Sequence, residues 1–265
     1  MNEQSIGMFD SGVGGLTVLS KLIRFLTTES VIYLADTANV PYGNKSPEEI
    51  VELSLKNAAF LMQKNIKLLV VACHTASSYA LSALRAKLKI PVVSIIPETL
   101  KMLFPNDTTI TLAIIGTKAT IASKVYPRLI KKEFPNFRVF SSSCPLLPSL
   151  IEEGCLTHAI TKEILAKYLH RFEDENVDAL FLGCTHFPLI KELIQQEIGE
   201  KVRLIDPANI IVERIKIALI ENNLCASDNN VPTYQYFATK DEEKFLQFKD
   251  KLLNQLLVAE KIGSC

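Results

Sequence analysis

The chain has 265 residues, 48% of them hydrophobic and 22% charged, with 29 Lys and Arg against 29 Asp and Glu. This composition is typical of a folded chain of one or two domains and argues against disorder. A formal net charge of +0 gives little general attraction to nucleic acid or anionic lipid, so we expect neither as a partner. The apolar runs are far shorter than the ~20 residues of a membrane span. The start of the chain is polar and lacks the pattern of a secretion signal, so we expect a cytoplasmic protein.

Short apolar runs alternate with amphipathic segments along almost the whole chain. The predicted strands are Ile6–Phe9, Val31–Ala35, Leu68–Ala72, Val92–Ile95, Thr111–Ile115, Arg138–Ser141, Ala179–Leu182, Val202–Ile205 and Tyr234–Ala238. The predicted helices are Leu16–Leu26, Glu48–Lys64, Ala76–Leu88, Ile121–Lys132, Thr161–Phe172, Leu189–Ile198, Ile210–Ile220 and Asp241–Leu257. This alternation predicts an α/β fold of parallel sheets with helices on both faces. The clearest helix start is Ser46-Pro47-Glu48-Glu49, with a cap residue, an early Pro and two carboxylates.

Two segments end alike and fit two similar domains. Leu68–Thr75 and Leu180–His186 each run from an apolar strand through a small residue to Cys, followed by Thr and His. Each domain would then offer one Cys at the carboxyl end of a strand. The candidate domain boundaries are the Pro97–Asp107 stretch and the neighbourhood of Asp206-Pro207.

Two further segments follow predicted strands, where ligands bind in open α/β sheets. The glycines of Asp10–Gly15 let the backbone approach a ligand, and the following helix start attracts anions. The spacing matches neither a Walker loop nor a dinucleotide fingerprint, which leaves a carboxylate site or an ordinary Gly-rich turn. In Asp36–Gly43, Tyr42 and Gly43 could present a hydroxyl and N–H groups to a ligand, although a plain turn explains that segment better when it is taken alone.

Of the six cysteines, no pair has CxxC spacing and none forms a zinc-finger cluster, so we expect no metal. Cys73 and Cys184 each lie between a buried strand and a helix start, where backbone N–H groups and the helix dipole favour the thiolate. Asp10 and His186 could supply or shuttle the proton. We interpret the remaining cysteines as core residues: Cys144, Cys155, Cys225 and Cys265.

Two thiols that face each other across a cleft can exchange a proton at a carbon stereocentre between them. One thiolate removes the proton from one face while the opposing thiol returns a proton to the other. A single Cys with a His base would instead indicate acyl transfer. Acyl transfer needs only Cys184 and His186 and leaves Cys73 unexplained. Moreover, residues that lie two apart in a chain often point away from each other.

Taken together, these residues resemble the glutamate racemases of the aspartate/glutamate racemase superfamily. The matching segments are Phe9–Val18, Ala35–Thr37 with Pro41–Gly43, Val71–Cys73 with Thr75–Ala76, Ile115–Thr117, Glu152–Gly154, Leu182–Pro188 and Ala238–Asp241. They occur in order, and all but the last lie within about the first 210 residues.

The resemblance implies a cofactor-independent racemase that interconverts L- and D-glutamate and supplies D-glutamate for peptidoglycan; pyridoxal phosphate is not expected. It implies two pseudo-symmetric, doubly wound α/β domains with the active site in the cleft between them. We place the first domain at residues 1–97 plus 208–265 and the second at 98–207. The chain could also form a homodimer.

By position, the family resemblance implies catalytic roles for some residues of this chain and substrate-binding roles for others. The catalytic set is Cys73 and Cys184 as acid/base thiols, with Asp10 and His186 as their partners. The substrate-binding set is Asp10, Ser11, Tyr42, Gly43, His74, Thr75, Thr185 and His186.

Three positions depart from the family pattern. His74 replaces the usual Asn, Asn39 replaces a common Arg, and Val93–Glu98 replaces a more usual Ile-Glu-Pro-Gly. An imidazole is larger than an amide and titratable, so His74 could bind the substrate or alter the substrate preference, whereas the other two positions would affect packing or loop shape. Two alternatives therefore stay open: a racemase for aspartate or another acidic amino acid, and a catalytically weak amino-acid-binding protein.

Overall fold

The computed structural model describes residues 2–96, 100–101, 103–104 and 109–262. The strands are β1 (Ile6–Asp10), β2 (Val31–Ala35), β3 (Leu68–Val71), β4 (Val92–Ser94), β5 (Thr111–Gly116), β6 (Arg138–Ser143), β7 (Ala179–Gly183), β8 (Arg203–Ile205) and β9 (Tyr234–Ala238). The helices are α1 (Leu16–Phe25), α2 (Pro47–Gln63), α3 (His74–Lys87), α4 (Lys118–Ser123), α5 (Val125–Glu133), α6 (Leu147–Glu152), α7 (Ala159–Leu169), α8 (Lys191–Ile198), α9 (Ala208–Glu221) and α10 (Glu242–Ile262). Short 3-10 turns occupy Tyr42–Asn44, His170–Glu175 and Phe187–Ile190.

Within the described residues, the strands form two sheets in which every pairing is parallel. The first has the order β4-β3-β1-β2-β9 and the second the order β6-β5-β7-β8. The predicted α/β class with parallel sheets is confirmed. We call the first sheet with its helices the first half, and the second sheet with its helices the second half.

The end of the chain returns to the first sheet. Strand β9 pairs with β2, placing Ala238 opposite Ala35, and helix α9 packs against α1. The exact domain limits stay a prediction, because much of the Pro97–Asp107 stretch lies outside the described residues. No helix in the described part of the chain is both long and apolar enough to cross a membrane.

A shared core joins the two halves. Met8 and Leu16 of the first half belong to the same cluster of buried side chains as Leu112 and Phe181 of the second. The inner strands β1, β2, β3, β5 and β7 are buried along their whole length, which is why they read as continuous apolar runs. Further clusters cover the outer face of each sheet.

Local sequence explains where the helices begin and break. The predicted start at Ser46 is confirmed: its hydroxyl accepts a hydrogen bond from the Glu49 N–H, and the Glu49 carboxylate accepts one from the Ser46 N–H. The predicted helix Ile121–Lys132 is instead two helices, α4 and α5, with Lys124 between them at φ 54°. Pro127 accounts for the break, because its ring would clash with the Ser123 carbonyl in a continuous helix.

Candidate active site

The predicted catalytic side chains meet where the carboxyl ends of the two sheets face each other. Asp10 ends β1, Cys73 follows β3, and Cys184 follows β7. Strand β3 lies beside the inner strand β1, and β7 beside the inner strand β5, so the thiols occupy corresponding places in the two halves. Each thiol residue is 4% exposed. Both thiols are therefore nearly buried, and Cys184 lies close enough to Cys73 to contribute to the raised pKa of Cys73.

Cys73 is the N-cap of α3. Its sulfur accepts a hydrogen bond from the Ala76 N–H at 3.5 Å, and its thiol donates to the Ser11 hydroxyl at 3.6 Å. Burial raises the pKa of Cys73 to about 12 and the nearby Asp10 adds to the rise, while these two hydrogen bonds oppose it. The prediction that the helix start favours thiolate is therefore wrong for Cys73 in this closed state, because desolvation outweighs the helix N-terminus.

On the opposite side, Cys184 is paired with His186. The Cys184 sulfur lies 3.5 Å from Nδ1 of His186, and Nε2 of the same ring lies 2.6 Å from Oε1 of Glu152. The expectation that Cys184 and His186 point apart is therefore wrong. Burial lowers the pKa of His186, but Cys184 and Glu152 outweigh it and hold that pKa well above its usual value. The imidazolium can donate a proton to the Cys184 sulfur or stabilise negative charge on it.

Glu152 is a site residue that the sequence reasoning missed. It ends α6, a helix that was not predicted, and its Oε1 also accepts the Val13 N–H at 2.9 Å. Two signals could have revealed this helix: the early Pro148, and Gly154 two residues after its end, which has a φ of 78°. The segment Glu152–Gly154 belonged to the family resemblance, but no role was attached to it.

Asp10 connects the two halves. Its carboxylate accepts hydrogen bonds from the Gly12 N–H at 3.1 Å and from the Thr185 hydroxyl at 3.2 Å. Burial raises the pKa of Asp10 to about 6, although the charge of His186 opposes this. Asp10 therefore titrates near physiological pH, which suits a group that exchanges protons with a thiol.

The glycines after β1 allow the second half to approach closely. A Cβ on Gly12 would lie 1.9 Å from Oε1 of Glu152, and one on Gly14 would lie 2.5 Å from Oγ1 of Thr185. In this structure the loop lies against the chain's own Glu152, and the carboxylate ligand predicted for it stays a prediction. The Gly-rich turn thus serves as the docking surface for the opposite half.

The Asp36–Gly43 segment is held by its own side chains. The Tyr42 hydroxyl donates to the Asp36 carboxylate in a short hydrogen bond and accepts from the Asn57 amide at 2.9 Å. In this state Asp36 binds the hydroxyl inside the loop, so its presentation to a ligand stays a prediction. Asn39 donates to the same carboxylate at 2.9 Å, in line with its expected effect on loop shape. Gly43 packs against Thr117, to which a Cβ would come within 2.5 Å.

Two other predicted substrate contacts lie on α3. The Thr75 hydroxyl is 2.9 Å from that of Thr117 and 3.1 Å from that of Thr120. Nδ1 of His74 is 2.5 Å from the Tyr126 hydroxyl. In this closed state, both side chains bind residues of the second half.

The other cysteines divide by burial. Cys144 is a core residue, as predicted, and is buried beside Leu147 and Leu182. The core prediction is wrong for Cys225, which is exposed, and for Cys155, which is partly exposed. Cys265 lies outside the described residues, as do Pro97 and Glu98 at the end of the third family departure.

The chain is similar to known racemases over nearly its whole length. Residues 6–215 match the family described as Asp/Glu/hydantoin racemase. A glutamate racemase from Geobacter metallireducens is 40% identical over 253 residues, which cover 96% of this chain and 94% of that protein. The crystal structure of glutamate racemase from Francisella tularensis in complex with D-glutamate has a TM-score of 0.86 at 36% identity, covering 96% of this chain and 95% of that one. A glutamate racemase isoform from Bacillus anthracis has a TM-score of 0.89 at 33% identity and the same coverage.

Proposed function

The chain belongs to the Asp/Glu/hydantoin racemase family, and we propose that it interconverts L- and D-glutamate with Cys73 and Cys184 as its acid/base groups. It is an amino-acid isomerase whose substrate is a small molecule, glutamate. The D-glutamate that it forms supplies peptidoglycan biosynthesis.

One observation carries the assignment of the catalytic groups. One thiol from each half is buried beside loops that hydrogen bonds between the halves hold together. Thr185 donates to Asp10, and Glu152 accepts from Val13 while it contacts His186. Acyl transfer by Cys184, His186 and Glu152 would leave Cys73, Ser11 and Asp10 without a role.

The reaction needs one proton removed and one returned. A thiolate takes the α-proton of glutamate, and the electron pair of the broken C–H bond stays on the α-carbon and its carboxylate. The opposing thiol then gives its proton to the other face of that carbon and becomes the thiolate. The configuration inverts, the two sulfurs exchange protonation states, and solvent protons reset them through Asp10 and His186.

The closed state prepares the two sulfurs differently. With a pKa near 12, Cys73 keeps its proton at neutral pH and is ready to act as the acid. His186, held by Glu152, lies 3.5 Å from the Cys184 sulfur and can stabilise the negative charge that forms there when Cys184 acts as the base. For the other enantiomer, Asp10 is the carboxylate that takes the proton from Cys73, and this transfer requires the pKa of Cys73 to fall from its closed-state value of about 12 towards that of Asp10, which is about 6.

The groups that bind glutamate are part of the proposal. Ser11, Gly43, Thr75 and Thr185 offer hydroxyl and N–H groups that suit the carboxylates and the ammonium group of an amino acid, and Ser11 already contacts Cys73. Because both thiols are nearly buried, the two halves must separate to admit the substrate.

Several wider features stay predictions: the domain limits, the homodimer, and the lack of nucleic-acid, membrane, cofactor or metal partners. We also propose that the protein acts in the cytoplasm. A reaction that depends on two free thiols is protected in a reducing compartment.

A chiral assay of the purified protein tests the function. With L-glutamate and no added cofactor, D-glutamate should accumulate until the two enantiomers are equal. Cys73→Ala and Cys184→Ala should each abolish this conversion, whereas Cys225→Ala, which changes an exposed thiol, should not. Conversion of aspartate alone would favour the alternative substrate, and binding without conversion would favour a binding protein. Conversion that survives loss of Cys73 would contradict the two-thiol mechanism.

A further inference from the structure

A continuous series of contacts joins the two thiols behind the reacting groups. His74 directly follows Cys73, and its Nδ1 lies 2.5 Å from the hydroxyl of Tyr126 in α5 of the second half. The Tyr126 ring packs on Phe181 with 4.6 Å between centroids. Phe181 belongs to β7, the strand that leads into Cys184. The proposed proton transfers do not use this connection.

The pair of His74 and Tyr126 is buried and uncharged. The two residues are 3% and 1% exposed. Burial lowers the pKa of His74 to about 3, although Asp206 opposes this, and burial raises the pKa of Tyr126. At neutral pH, a neutral imidazole therefore faces a neutral phenol, an arrangement that suits a fixed hydrogen bond better than a proton relay. Because separating them would leave two buried polar groups unbonded, the contact favours one spacing of the halves.

The neighbouring contacts extend the same junction. Thr75 binds Thr117 and Thr120, and the Tyr79 hydroxyl donates to the Ala119 carbonyl at 2.9 Å. These contacts dock α3 on the first turns of α4. The His74 contact differs from them because it touches α5, whose Tyr126 is packed against the strand that carries the second thiol.

We propose that His74 is a positioning residue whose hydrogen bond to Tyr126 fixes the separation of the Cys73 and Cys184 sulfurs around the substrate. This inference rests on the proposed two-thiol racemisation. It also gives His74 a role other than the substrate contact expected from the sequence. A misplacement of about 1 Å can lower the rate of a chemical step by about 100-fold, so a bond that sets this separation would act mainly on kcat.

Replacing His74 with a shorter or a longer amide side chain distinguishes a positioning role from a substrate contact. The Asn amide lies as far from the backbone as Nδ1 of His, so His74→Asn can still reach Tyr126. The longer Gln amide lies near the position of Nε2 instead. His74→Asn should therefore keep kcat within about twofold, whereas His74→Gln should lower it about tenfold with little change in KM. With α-deuterated glutamate, the isotope effect on kcat should increase in the slower variant, because proton transfer limits it more.

Tyr126→Phe supplies the matched change on the partner. It removes the hydroxyl but keeps the ring on Phe181, and it should lower kcat as much as His74→Gln does. Combining the two changes should lower kcat no further, since both remove the same bond. Thermal melts check that each variant is folded at the assay temperature. If Tyr126→Phe is not folded there, the comparison of His74→Asn with His74→Gln still tests the positioning role.

Three results would overturn the inference while the wild-type protein still racemises glutamate. The first is full kcat in His74→Gln. The second is activity retained by Gln but lost with Asn, which would assign the function to Nε2, as a substrate contact would. The third is strictly additive losses in the double variant. A wild-type protein that does not racemise glutamate would instead refute the proposed function.

Discussion

Gly14 determines how closely the second half can approach the Asp10 loop. Gly14→Ala would place a Cβ 2.5 Å from Oγ1 of Thr185 and 2.6 Å from Nδ1 of His186. Ordinary contact begins at 3.4 Å, so the opposing loop must retreat by about 0.9 Å. That loop carries Cys184 and the Thr185 hydroxyl that binds Asp10.

The displacement should affect catalysis more than folding. Overpacking of this kind costs about 1–3 kcal/mol of folding free energy, which a domain of ordinary stability tolerates. A shift of nearly 1 Å between reacting groups can lower kcat by about 100-fold. We therefore expect Gly14→Ala to fold, to lose one to two orders of magnitude in kcat, and to melt at a somewhat lower temperature.

Gly199→Ala is the matched control. Gly199 follows α8 with a φ of 94° and a ψ of 146° and has no atom within 4 Å of the added Cβ. Because this backbone conformation is essentially restricted to glycine, Ala there costs about 1–3 kcal/mol through backbone strain alone. The chiral assay and thermal melts of both variants separate the effects: Gly199→Ala should lose stability and keep its kcat. Full activity and full stability in Gly14→Ala would refute the closed packing of the two loops.

Two further predictions concern charge. Asp10→Asn should lower racemisation. It should also increase the free energy of unfolding at pH 8 but not at pH 4, because the wild-type protein must ionise a buried carboxyl above its pKa of about 6. An equal gain in melting temperature at both pH values would contradict this. Glu152→Gln removes a negative charge beside His186 and lowers the pKa of that ring, so kcat should fall about tenfold and the alkaline limb of the pH–rate profile should move to lower pH. An unchanged profile would show that Glu152 does not support the imidazolium.

The sequence correctly places three of the proposed site residues at the ends of strands. Asp10, Cys73 and Cys184 all follow apolar runs, and the carboxyl ends of parallel strands lie at one edge of a sheet. For the same reason, the duplicated Cys-containing segments were enough to suggest two similar halves.

The features that the sequence did not predict depend on contacts between distant segments. Glu152 reaches Val13 across 139 positions, and no local pattern indicates that approach. The pKa of Cys73 depends on how completely the second half excludes water, whereas the sequence reveals only the helix start that acts in the opposite direction. The sequence marks His74 as a departure from the family pattern, but its partner Tyr126 becomes visible only once α5 is placed.

The fate of the α-hydrogen tests the two-thiol account most directly. L-glutamate is incubated with the protein in heavy water, the enantiomers are separated at low conversion, and deuterium at the α-carbon is measured by mass spectrometry. Because the group that removes the proton differs from the group that returns one, D-glutamate should carry deuterium from the first turnovers while the remaining L-glutamate stays unlabelled. Deuterium appearing in recovered L-glutamate as fast as in D-glutamate, or D-glutamate that keeps its original hydrogen, would mean that one group serves both faces.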